Sequence, residues 1–151
     1  MNGPVQSLRS AHRLAYGLGL ALCFGIPGLI AVLLRSGVLP PGVENPQGVF
    51  QQVGYLFTGL VFLAAAWVWG RTSGVLRTFK LLPETRRPGV LLREGLLYAG
   101  VLDISSLCGL VYWVLVGEHA VRHVWGFILL TPVLYLALMP RYERWAKALE
   151  R

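Results

Sequence analysis

Four long apolar stretches, each bounded by charged residues and almost free of charge inside, constrain this chain more than any other feature. They cover about 14–35, 50–70, 95–116 and 123–140. The first lies between Arg13 and Arg35, and the second is closed by Arg71. The third follows Arg93 and Glu94 and stops before Glu118, and the fourth is closed by Pro140 and Arg141. A bilayer core about 30 Å thick takes roughly 20 helical residues to cross. The first and third stretches reach that length unaided, while the second and fourth borrow flanking residues such as Phe50 and His123. None alternates with period two, so barrel strands are excluded. A continuous helix satisfies its own backbone in lipid.

Composition agrees. Hydrophobic residues make up 55% and charged residues 14%, with a mean hydropathy of +0.58. Soluble domains run nearer about 45–50% and about 25%. The surplus must face something other than water. The sequence therefore predicts an all-α, polytopic transmembrane four-helix bundle that forms one integral membrane domain over residues 1–151. The two cysteines are too few for a disulfide framework. Arg9 and Arg13 resemble the start of a signal peptide. The apolar run behind them is too long for one and no small-residue cleavage site follows, so it is read as a retained span.

The net charge of +7 is a topology signal. Arg9 and Arg13 lie before the first span, six basic residues from Arg71 to Arg93 lie between the second and third, and Arg141, Arg144, Lys147 and Arg151 follow the fourth. Only Arg35 and Arg122 fall on the other side. Lys and Arg in short loops stay cytoplasmic, so both termini are expected inside. Trp67, Trp69, Trp113, Trp125 and Trp145 fall near span ends, as an interfacial belt requires. Arg greatly outnumbers Lys, which points to a bacterial plasma membrane. Nucleic acid is not an expected partner, because the positives flank spans with no stacking platform beside them.

Val75, Leu76, Phe79 and Leu82, interleaved with Arg71, Arg77 and Lys80, predict a short amphipathic cytoplasmic helix continuing from the second span. It would lie on anionic lipid and stop before Pro83, with a turn over 83–89. Residues 141–151 predict a second basic amphipathic helix, and Asn45-Pro46 marks a turn in the first outer loop.

Few side chains can carry chemistry. Asp103 is the only acidic residue well inside a span, roughly 12 Å beyond Gly95 at 1.5 Å per residue. A charge there costs at least about 2.5–3.5 kcal/mol. Gly95, Ala99, Asp103 and Ser106 share one helical face, on which small residues admit a neighbouring helix. Thr131 and Tyr135 are expected within reach of Asp103. The set reads either as a proton- or cation-coupling site or as a hydrogen-bonded packing lock. Gly17, Ala21, Gly25 and Gly28 form a second small-residue stripe, for packing within the bundle or in an oligomer. Pro27 and Pro132 are expected to kink the first and fourth spans. His119 and His123, four apart, could share a metal, with Glu118 as a weaker third ligand, but two certain ligands are short of the usual three or four. Cys23 and Cys108 read as buried thiols. No P-loop, nucleophile elbow or paired carboxylates occur, so no catalytic site is evident.

Three functions are compatible with these residues. The first is a non-catalytic membrane protein acting as an accessory subunit or homo-oligomer, with no cofactor. The second is a small proton- or ion-coupled transporter or channel built on Asp103. The third is a redox subunit holding metal, haem or quinone near His119 and His123.

Overall fold

The computed structural model describes residues 4–42 and 49–150, and every element among them is helical. The helices are α1 (Pro4–Arg35), α2 (Val49–Thr78), α3 (Arg87–Leu102), α4 (Ile104–Val116), α5 (Val121–Leu138) and α6 (Tyr142–Glu150). Single 3-10 turns, Phe79–Leu81 and Gly117–Ala120, extend α2 and open α5. The Asn45-Pro46 turn lies outside the described residues.

Three helical runs are long and apolar enough to cross a membrane: Ser7–Arg35, Gln51–Leu81 and the compound run Arg87–Glu150. The compound run folds back on itself. Ser105 pairs with Phe127, and Gly109 lies against Val124, so α4 and α5 are antiparallel. The reversal is at Gly117, whose φ of 78° suits glycine alone. Its α-carbon also faces the Gly42 carbonyl, with no room for a side chain. Ala15 meets Gly95 and Cys23 meets Ala99, so α1 and α3 run parallel. Arg71 pairs with Glu94, and Gly54 lies under Tyr112, so α2 is antiparallel to both α3 and α4.

The helix-continuation expected after the second span is present, since α2 runs on to Thr78 and its 3-10 turn ends before Leu82. The turn expected over 83–89 is shorter. Helix α3 starts at Arg87, because Pro88 sits in the first turn, where its missing N–H breaks no hydrogen bond. The third apolar stretch is not one helix but two, interrupted at Asp103. Helices α1 and α5 each continue through their prolines, so neither Pro27 nor Pro132 ends a helix.

Buried side chains form three clusters along the helix axes. One gathers Ile30, Val61, Tyr112, Val124 and Phe127 near the Gly117 end. The next holds Cys23, Val68, Tyr98, Leu102 and Tyr135, and the last holds Leu8, Ala15, Phe79, Leu91 and Trp145. Outside this core, Leu18, Phe24, Leu29 and Val32 on α1, Leu56, Phe62 and Leu63 on α2, and Leu129, Val133 and Leu136 on α5 are exposed. That apolar exterior takes up the surplus noted in the composition.

Candidate functional site: the helix break at Asp103

A continuous helix would join the Ser106 N–H to the Leu102 carbonyl. Here the Thr131 hydroxyl of α5 stands between them. It donates to the Leu102 carbonyl at 3.3 Å and accepts the Ser106 N–H at 3.1 Å. The Ser106 hydroxyl lies 2.6 Å from the same oxygen. A side chain inserted into the ladder is a recognised cause of a broken helix. The break is narrow, since the Asp103 N–H still reaches the Ala99 carbonyl at 3.0 Å and the Asp103 carbonyl still accepts from Leu107 at 3.1 Å. One residue earlier in the contact, Ser105 donates to the Phe127 carbonyl at 2.7 Å. Two adjacent serines thus clamp α4 to α5.

Asp103 is 4% exposed, and neither carboxylate oxygen has a hydrogen-bond partner among the described residues. The groups expected beside it are engaged elsewhere. Thr131 and Ser106 bond each other, and Tyr135 donates to the Tyr16 carbonyl at 3.1 Å. On the facing helix, the Cys23 thiol donates to the Ala99 carbonyl at 3.7 Å. Pro27 leaves the Cys23 carbonyl without its intrahelical donor, so polar backbone lies at this depth on α1 as well.

Sequence reasoning missed the polar groups between Asp103 and the α2–α3 end. Arg71 grips Glu94 through two bonds, Nε to Oε2 and Nη2 to Oε1, both 2.7 Å. The Arg71 guanidinium also lies 5.5 Å from the Trp67 ring centroid. Next to Arg71, the Thr72 hydroxyl is buried, and so is the Tyr98 hydroxyl one turn after Glu94; both are short of ideal hydrogen-bond geometry, but Tyr98 lies within polar reach of Thr72 and Glu94. The available signal was Glu94 itself, an acid among basic residues at a span edge. His12 was likewise given no role. It is buried, lies 3.2 Å from the Pro140 carbonyl through Nε2, and stacks on Tyr16 at 5.9 Å.

The remaining candidates separate. Gly95 and Ala99 are buried against α1, and a Cβ on Gly95 would meet the Ala15 Cβ at 3.0 Å. Gly17, Ala21, Gly25 and Gly28 are all exposed on the opposite face of α1, with open space beyond the three glycines. The packing glycine of α1 is Gly19, which carries the Tyr135 ring directly on its α-carbon. His119 lies in the 3-10 turn and His123 on α5, where it meets the Tyr112 ring edge-on at 6.2 Å. Among the described residues, no group of three or more His, Cys, Asp and Glu gathers, around Glu118 or elsewhere. Cys23 and Cys108 are both buried and free.

No family model, curated protein or solved structure matches this chain.

Proposed function

We propose that the chain is a four-pass protein of a bacterial plasma membrane, with both termini cytoplasmic, that acts by assembling with itself or with another membrane protein. In this reading the spans are α1, α2, the α3–α4 pair and α5, and the basic ends lie inside. The observation that carries it is the outward face of α1. Gly17, Ala21, Gly25 and Gly28 recur there at spacings of four, four and three, and all four are exposed among the described residues. Small residues let two membrane helices approach closely, and dispersion and packing then hold them. Purification in mild detergent should give a homo-oligomer or a stoichiometric complex. Ala21→Leu with Gly25→Leu should release the monomer with its helices intact. A wild-type monomer with nothing attached overturns the reading.

A second reading, a proton- or cation-coupled role for Asp103, is favoured by its two unpartnered oxygens. Intramembrane acids of this kind mark ion and proton pathways. Tyr98, Thr72 and Glu94 are further buried polar residues of α2 and α3, nearer the Arg71 end than Asp103. In proteoliposomes, Asp103→Asn should abolish a pH-driven flux. Unchanged flux removes Asp103 from any such mechanism.

A further inference from the structure

The two basic amphipathic segments read from the sequence, the α2 continuation and α6, face each other. Trp145 of α6 is fully buried and meets Phe79, in the turn that ends α2, edge-on at 4.8 Å. That contact sets α6 across the end of α2. On α2 and its 3-10 turn, Arg77 and Lys80 are three residues apart, and on α6 Arg144 and Lys147 are too, so each pair shares a helix face. The pairs flank a concavity of about 520 Å³ with Leu76 and Ala148 in its wall and, among the described residues, no acidic side chain lining it.

Four cationic side chains around one hollow make it electropositive, and a ligand of several negative charges is attracted to it. The hollow also has a definite height. Ser73 lines it, roughly 6 Å along α2 beyond the exposed Trp69. Interfacial tryptophans sit at headgroup level, and the polar layer on each side of a bilayer is about 5–8 Å deep. Its upper rim therefore lies among lipid phosphates, and its apolar wall suits the start of an acyl chain.

We propose that Arg77, Lys80, Arg144 and Lys147 form a binding site for the headgroup of a lipid bearing two phosphates. Basic pockets beside membrane helices on the cytoplasmic side are suited to such headgroups. The inference rests on the four-pass reading for the height of the hollow in the bilayer and for the side of the membrane. The headgroup chemistry is the same on either face.

The test is a titration of the whole protein in neutral detergent, read by native mass spectrometry. The probes are cardiolipin, phosphatidylglycerol and inorganic pyrophosphate. Cardiolipin should bind one-to-one and more tightly than phosphatidylglycerol, and pyrophosphate should not displace it. Arg144→Gln with Lys147→Gln should weaken cardiolipin by about thirty-fold, while Arg86→Gln with Arg141→Gln, equal in charge but outside the hollow, should change it by less than about threefold. Arg77→Gln with Lys80→Gln should repeat the loss from the other wall and guards against a fold defect in α6. Equal binding of the two lipids, or equal loss in both charge-matched sets, overturns the site. Displacement by pyrophosphate overturns its assignment to a lipid. A wrong membrane side would show in external labelling of the termini and leave these affinities unchanged.

Discussion

Thr131 and Gly19 are the residues on which the interior turns. Thr131 serves three groups at once, the Leu102 carbonyl, the Ser106 N–H and the Ser106 hydroxyl. Thr131→Val keeps the shape and deletes the oxygen, so it should destabilise the protein by about 1–3 kcal/mol, the cost of buried polar groups left unpaired. Thr131→Ser keeps the oxygen and should cost less than about 1 kcal/mol by the same accounting. Denaturant titration of the purified protein reads both. If Thr131→Val is as stable as wild type, the hydroxyl does not hold the break open. At Gly19, a methyl group would occupy the position of the Tyr135 hydroxyl. Gly19→Ala must push Tyr135 off the Tyr16 carbonyl and should cost about 1–3 kcal/mol as overpacking. Gly17→Ala, which meets open space, should leave thermal stability in detergent unchanged. Equal effects would mean that Gly19 is not the packing position.

At the scale of elements, α3 is the hub. It lies along α1 through Gly95 and Ala99 and is tied to α2 by the Arg71–Glu94 pair. The pair is asymmetric, for the Glu94 side chain is 5% exposed and that of Arg71 39%. Removing the arginine strands a buried carboxylate, whereas removing the acid leaves a cation that can still reach water. Arg71→Gln should therefore lower the melting temperature more than Glu94→Gln, and the double substitution should recover part of the Arg71→Gln loss. A simple sum of the two losses would mean that the residues do not act as a pair. The α2 extension and α6 were legible in the sequence from their apolar spacing among cations. Their meeting was not, because it depends on Trp145 finding Phe79 across 66 positions of chain.

For the whole molecule, orientation is the property to test. Impermeant maleimide applied to spheroplasts should label Ser36→Cys and Glu118→Cys. It should spare Ser10→Cys, Glu84→Cys and Glu143→Cys until the membrane is opened. These five positions are exposed in the fold, so access depends on the side of the membrane. The native cysteines are buried and give little background. The opposite labelling pattern would overturn the four-pass orientation.

The helical class, the apolar runs and the basic segments at their ends could all be read from the chain alone. Each depends on local composition and on the length a helix needs to cross a bilayer. Only the tertiary structure decided where the third run breaks. The prolines drew attention to α1 and α5, yet both helices pass through them, and the interruption falls at Asp103 where no proline stands. The cause is a hydroxyl from a neighbouring helix, 25 positions away from Ser106. Local propensity carries no trace of such a contact. For the same reason the chain alone marked the exposed stripe of α1 and passed over Gly19. Both lie on one helix, and only the neighbours that fill one face and leave the other empty distinguish them.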